Sequence, residues 1–254
     1  MPTYSVSAIN VGSFNLGESD KIITLFSAER GLIRAVAKGA RKPGSKIGGR
    51  AELLAVNRLL LANGRSLDII TQAESIETFK GLRNDLTRLS YALYYAELTA
   101  HLGQGVSGET ELYFELLVNT LRQLSNPESN PAYLCLIFQL SLLHLLGLKP
   151  ELDSCVICRK RLVEFNLSVF HHELGGTICD HCFSSQDRFS SYFTYLTPLV
   201  WKKLILAGNA SLTDSHFVSA QSELIEKTIM AARHLLETYI EHRSGRKMNA
   251  LALI

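Results

Sequence analysis

The spacing of apolar positions changes character along the 254 residues of this chain. Up to about residue 80 the apolar runs are short and rich in Val, Ile, Leu and Thr: "TYSVSAINVG", "KIITLFSAE", "GLIRAVAKG", "NRLLLA" and "LDIITQAES". Gly12, Gly17, Gly31, a basic Gly-rich segment and Asn63-Gly64 separate them. Such runs bounded by turn residues read as strands. Asn-Gly tolerates the positive φ of a tight turn, so "LLLANGRSLDII" predicts a hairpin. Five short strands in so few residues suit a closed barrel, because closure removes exposed edges, and an OB-fold has that strand number.

After Gly81 the period lengthens to that of a helix. "LRNDLTRLSYALYYAELTAHL" places Leu82, Leu86, Leu89, Leu93, Ala96 and Leu102 on one face. Gly103, Gly105 and Gly108 end it. "ETELYFELLVNTLRQL" and "PAYLCLIFQLSLLHLLG" follow as helices, the second apolar nearly all round and so expected at a buried centre. Asn126-Pro127 and Asn130-Pro131 mark the connection, and Gly147 with Pro150 the stop. Two more helices follow: "TPLVWKKLILAG", and a long one from Ser222 to His242. The long one carries an apolar stripe through Leu224, Ile229, Leu236 and Ile240, and Gly245 caps it. The closing "NALALI" is expected to fray. The resulting fold class is α+β and multi-domain: residues 1–80 an OB-fold barrel, and residues 81–254 an α-helical domain with a module inserted at 152–183.

Composition adds little until charge is followed by position. The chain is 46% hydrophobic and 20% charged with a formal net charge of +2, the make-up of a globular protein with a core. Yet from Arg30 to Arg50 every ionisable side chain is basic. Within that stretch "KGARKPGSKIGGR" holds five cations and four glycines, and its composition predicts a mobile loop. "GARKPGSK" nearly spells a P-loop. However, Ser45 precedes Lys46, whereas the lysine must come first to reach the phosphates and leave the hydroxyl for Mg²⁺; no helix is expected to follow. A phosphodiester chain asks less. Arg34, Lys38, Arg41, Lys42, Lys46 and Arg50 sit on one strand and the loop after it, where cations can follow a DNA backbone and aromatic rings can stack bases. Tyr4 and Phe14 are the candidate rings.

The N-terminal "MPTYSVSAINVG" lacks the charged start and apolar run of a signal peptide. "LCLIFQLSLLHLLGL" is broken by polar residues and too short to span a bilayer. A cytoplasmic protein without a membrane partner is expected, and its five cysteines should be thiols or metal ligands. Cys155-Val-Ile-Cys158 and Cys179-Asp-His-Cys182 are two CxxC knuckles separated by twenty residues. Each knuckle brings two thiolates to one ion, and together they complete the tetrahedral shell that Zn²⁺ prefers. Four thiolates leave no position for water, so one structural Zn²⁺ is the expected cofactor. The intervening segment predicts a hairpin with Gly175-Gly176 at its turn. "HHE" at His171–Glu173 ahead of "CDHC" resembles a zinc-deaminase signature. It lacks the proline before Cys179 and leaves Cys155 and Cys158 without a role, so His171, His172 and His181 are expected to be exposed. Cys135 is expected in the core. There is no GxSxG, no HExxH and no paired-carboxylate motif, and no catalytic residue is assigned.

Taken in order, "AKGARKPGSKIGGR", "GLRNDLTRLSYALYYAELTAHL", "LLHLLGLKPELDSCVICRK", "FHHELGGTICDHC" and "TYIEHRSGRKMNAL" resemble segments of the RecO family of bacterial recombination and DNA-repair mediators. The resemblance runs through nearly the whole chain. It implies a cytoplasmic, nucleoid-associated protein that is not an enzyme, with an N-terminal OB-fold, a helical domain and a zinc module. It further implies binding of single- and double-stranded DNA and annealing of complementary strands. The partners it implies are RecR, the C-terminal tail of single-strand-binding protein and, indirectly, the RecA recombinase. The competing expectations are a zinc-ribbon regulator that reads base sequence, or a zinc-dependent nucleic-acid enzyme.

Overall fold

The computed structural model describes residues 2–106, 108–185, 192–210 and 223–250. Five strands, β1 (Thr3–Leu16), β2 (Asp20–Ser27), β3 (Gly31–Ala37), β4 (Val56–Ala62) and β5 (Asp68–Glu77), close into a barrel in the order β1-β2-β3-β5-β4. All neighbours are antiparallel except β3 and β5. This is the OB-like barrel expected from the strand count. Val6, Ala8, Ile23, Leu25, Leu59 and Leu61 are among the side chains that fill it.

β1 is longer than its apolar run because it serves two partners. Its first half pairs with β4, from Thr3–Ala62 to Ile9–Val56, and its second half with β2, from Ala8–Ser27 to Leu16–Asp20. The register slips between Asn10 and Gly12. Buried Asn10 holds the resulting bulge: its Nδ2 donates to Ala51 O at 2.7 Å and its Oδ1 accepts from Gly12 N at 3.1 Å. Bulges of this kind let a strand bend around a barrel. The β4–β5 hairpin exists, but its turn is wider than the Asn-Gly pair predicts. Residues 63–67 form the connection, and Asp68 Oδ1 accepts from Gly64 N at 3.0 Å. Gly64 is needed for space, since a Cβ there would stand 1.7 Å from Leu67 O.

α1 (Leu86–Leu102) starts four residues later than Leu82, which lies in a preceding 3₁₀ turn. Asp85 fixes the start by accepting from Arg88 N at 3.0 Å. Its buried face also differs from the leucine stripe read from the sequence. Leu86 is 74% exposed, while Tyr91, Tyr94, Tyr95 and Leu98 are buried. Tyrosine rings carry more apolar area than leucines and take the inner face. α2 (Thr110–Leu124) contributes Tyr113, whose hydroxyl donates to Thr99 Oγ1 at 2.9 Å and whose ring packs on Phe26 of β2. Gly103 allows close approach here: a Cβ would meet Phe26 at 3.0 Å.

The chain divides into two compact units, Met1–Ser125 with Met248–Ile254, and Asn126–Lys247. The first therefore holds the barrel together with α1 and α2. The closing segment expected to fray is tied in part. The backbone N–H groups of Asn249 and Ala250 donate to the Glu97 carboxylate on α1, while residues 251–254 lie outside the described part.

The second unit is built around α3 (Pro131–Leu145), which is buried nearly all round, Cys135 included. Asn130 caps it by accepting from Tyr133 N at 2.9 Å, and Pro131 opens its first turn. Then come β6 (Leu167–His171), β7 (Gly176–Cys179), the short α4 (Asp180–Ser184) and β8 (Phe193–Tyr195), with the sheet ordered β7-β6-β8. α5 (Pro198–Gly208) and α6 (Glu223–Ser244) pack with α3. Ser222 lies outside the described residues. On α6 the stripe from Ile229 to Ile240 is buried as expected, but Leu224, near the helix start, is 61% exposed.

Candidate nucleic-acid interface and metal centre

The alternation of β3 decides which cations reach solvent. Ile33, Ala35 and Ala37 point into the barrel, so Arg34 points out, its guanidinium 5.5 Å from the centre of the Phe14 ring on β1. Phe14 is 48% exposed, which leaves part of its surface free for stacking.

The segment after β3 is not the mobile loop its glycines suggest. Lys42 N bonds to Gly39 O, Ser45 N to Lys42 O, Gly48 N to Ser45 O and Ala51 N to Gly48 O, a ladder of successive turns. Ala40, Ile47 and Ala51 pack into the barrel core from this segment, which fixes it as a platform. Two of its cations serve the platform itself. Arg41 Nη1 donates to Gly17 O at 3.0 Å and so clamps the β1–β2 turn. Arg50 donates to Lys46 O. Asp20 Oδ1 accepts from Gly39 N at 2.8 Å. That bond, then Ser19 Oγ, holds the Asp20 carboxyl below the usual range, and nearby Lys38 and Lys42 add to it. Lys38, Lys42 and Lys46 are exposed, and among the described residues their ammonium groups make no ion pair.

Sequence reasoning missed two arginines. β3 and β5 pair only at Ala35–Asp68 and Val36–Ile69 among the described residues, and beside this short seam lies a cleft of about 410 Å³. Arg30, Arg34 and Arg65 all line it. Arg30 stacks 3.7 Å above the Tyr4 ring. Tyr4 donates its hydroxyl to Asp68. Burial, then this carboxylate, pushes the Tyr4 phenol up to about 12, so it stays a neutral donor. Tyr4 is thus occupied, and Phe14 is the more available ring. The signal for Arg30 was present: it sits in the turn just before β3 and opens the stretch from Arg30 to Arg50 in which every ionisable side chain is basic. Arg65 had no local signal, since a turn brings it to the cleft.

The second unit holds the cysteines. Their four Sγ atoms, of Cys155, Cys158, Cys179 and Cys182, lie within 4.8 Å of one another. Cys158 and Cys179 Sγ are 3.8 Å apart. Four thiolates about 2.3 Å from one ion at tetrahedral angles stand about 3.8 Å from each other, so the donor set fits a tetrahedral thiophilic metal. Gly176 makes the assembly possible. A Cβ there would stand 2.6 Å from Glu151 O, in the strip that links β7 to the first knuckle. Burial pushes the Cys155 thiol up, but N–H groups of Cys158, Cys179 and Ile157 outweigh it and bring the thiol down to about 7. Burial and the neighbouring sulfurs push Cys182 up to about 12. Four thiols this close resist ionising together unless a cation stands between them. Val169, Ile178 and Leu162 back the site, and Trp201 Nε1 on α5 donates to Leu152 O at 2.8 Å beside it.

His181 is exposed as expected, but His171 and His172 are each only 3% exposed. β8 covers β6 on the side away from β7, a strand the spacing did not announce. His172 Nε2 pairs with Thr194 Oγ1 at 2.9 Å, and burial lowers the imidazole pKa to about 4. The four-residue metal cluster contains neither histidine, so the deaminase arrangement is not assembled.

Comparison with known families covers nearly the whole chain. Residues 1–79 match the model described as Recombination protein O N terminal, and residues 83–252 match Recombination protein O C terminal. A DNA repair protein RecO from Synechococcus sp. (strain JA-2-3B'a(2-13)) is 34% identical, over 99% of this chain and 89% of that protein. One from Symbiobacterium thermophilum is 33% identical, over 98% of this chain and 96% of that protein. No helix among the described residues is long and apolar enough to cross a membrane. With its barrel, its helices and its four clustered thiols, the chain belongs to the recombination protein O family.

Proposed function

We propose that this protein is a DNA-repair and recombination mediator that binds single- and double-stranded DNA and anneals complementary strands without covalent chemistry. The observation that supports this most is the outer face of the barrel, where Arg30, Arg34 and Arg65 line one cleft and Lys38, Lys42 and Lys46 project from a fixed platform. Cations placed this way neutralise successive phosphates, and the released counterions drive binding. Two strands repel each other through their phosphates, so neutralising one of them lowers the barrier to pairing. Phe14 adds base stacking, which is tolerant of sequence. Family membership supports cooperation with RecR, recognition of the single-strand-binding protein tail and loading of RecA. It also supports a cytoplasmic, nucleoid-associated setting. The four thiolates would hold one Zn²⁺, whose role is to cross-link the module; no open coordination position is left for catalysis.

The test is fluorescence annealing of complementary oligonucleotides without ATP, with and without single-strand-binding protein, at several salt concentrations. Annealing that is indifferent to sequence and falls steeply with salt is expected. Strong preference for one sequence would favour a regulator, and turnover of the DNA would favour an enzyme. The triple variant Lys38→Ala, Lys42→Ala, Lys46→Ala should reduce the salt slope by about 2. Unchanged binding in that variant would remove the platform from the interface.

A further inference from the structure

The second unit has a basic cleft of its own. It measures about 370 Å³ and is walled by the end of the α3 loop (Lys149), the first cysteine knuckle (Arg159), the hairpin turn at Gly175, and α6 (Tyr239 and Arg243). Its wall is fixed. Tyr239 donates its hydroxyl to Leu148 O at 3.0 Å, and Gly175, with φ of +72°, lets the turn close over that hydroxyl, which a Cβ would meet at 3.1 Å. Lys149, Arg159 and Arg243 are exposed, and among the described residues none of them is ion-paired. Glu151 is the one carboxylate on the wall, and its Oε1 accepts from Asp153 N and Ser154 N, both at 2.9 Å.

Arg159 is the informative member. Its φ is +61°, a conformation that favours glycine, and its N–H closes the knuckle on Cys155 O at 2.9 Å. The other described non-glycine residues with positive φ, Leu54 and Phe79, are buried, so packing offsets their strain. Arg159 is exposed and gains no such packing. A strained backbone carrying an exposed cation into a cleft that two other cations line points to a ligand. Lys160, Arg161 and Lys247, exposed and near these residues in the chain, extend the charge beyond the cleft. A run of cations suits a repeating anion better than a single one.

We infer that this cleft binds the phosphate backbone of a DNA strand other than the one held on the barrel, giving each chain a site for both partners of an annealing reaction. The inference rests on the DNA-binding reading above. It is tested on the full chain with Arg159→Gly, Lys149→Gln and Arg243→Gln combined. Arg159→Gly removes the cation and also the strain, so metal content and melting temperature should hold or rise, whereas loss of the fold would be seen at once in either. Protein saturated with an immobilised oligo-dT strand is then offered a second, labelled oligo-dT strand, which cannot base-pair with the first. Capture of the second strand and the annealing rate should fall about tenfold, with capture losing about 2 from its salt slope, while binding of the first strand changes little. Inorganic phosphate at the same ionic strength should not displace the strand. Displacement by phosphate alone would reassign the cleft to a small anion and overturn the proposal. Native capture by the triple variant would overturn it too, including the case in which only binding of a polyglutamate peptide is lost, which would give the cleft to an acidic protein. Wild-type protein that binds no DNA would overturn both this inference and the function it rests on, so the two failures are distinguishable.

Discussion

The basic platform of the barrel and the cysteine module are both irregular segments rich in turns, yet they are held by opposite means. The platform hangs on a core of aliphatic side chains, to which it contributes Ala40, Ile47 and Ala51. In the module, three of the six buried residues in the described core cluster, Cys155, Cys179 and Cys182, belong to the group of four thiols that could hold a metal. One segment is shaped by the hydrophobic effect and carries its three lysines as passengers. The other has a small apolar cluster, half of it cysteines, and the proposed ion would serve as its centre. The platform's lysines should therefore tolerate replacement with little structural cost, whereas removing one sulfur from the module is expected to change its shape.

The sharpest way to break this contrast is Cys179→Ser, or chelation. Zinc binding is worth about 10–16 kcal/mol in small zinc-folded peptides, so this should be the largest effect. Metal content should fall, and the second unit should melt earlier while the barrel keeps its transition in calorimetry. A single unshifted transition with no metal bound would refute the cross-linking role. Next comes Leu61→Ala in the barrel, which should lose about 2–5 kcal/mol by leaving a cavity. Here metal content should stay constant, the mirror image of the cysteine variant.

A pH titration should show a smaller effect in the second unit. His172 is buried as the neutral base, with its pKa lowered from 6.5 to about 4. Between those values the unfolded chain binds the extra proton and the folded chain does not. Stability of the second unit therefore falls as pH drops from 6.5 towards about 4, and is fully retained above that window. His172→Gln should flatten this slope, and a slope left intact would assign it to another group. Smallest of all should be Lys42→Ala with Lys46→Ala. Melting should move by less than about 0.5 kcal/mol in stability, because neither side chain is packed. A larger loss would mean that the platform depends on its charges after all.

How much of this the sequence disclosed depends on whether the cause was local. The five barrel strands, the knuckles, the connection at Asn130-Pro131, the helix stops at Gly103 and Gly147 and the cap at Gly245 are short-range patterns, and they read correctly. Misreadings came where distant residues decide. His171 and His172 look like exposed knuckle residues until β8 arrives to cover them. α1 shows a leucine stripe, but three tyrosines compete for the same burial and win by area. The loop from Lys38 to Arg50 has the glycines of a flexible linker, and only the barrel end that receives Ala40 and Ile47 makes it rigid. At the interface the sequence supplied Arg34 and the lysines. Arg65 reaches the same cleft through a hairpin turn that tertiary structure alone brings near.

The double duty of β1 has a consequence for how this protein is made. The strand's second half finds β2 within a few residues, but its first half waits for β4, since Thr3 pairs with Ala62 and Ile9 with Val56. At about 5–20 residues per second, several seconds of synthesis separate those partners. During that interval one edge of the first strand offers unpaired N–H and C=O groups to whatever is nearby. The earliest element to be synthesised is thus among the last to be completed, and a nascent chain halted before β4 would carry an open template for joining its neighbours.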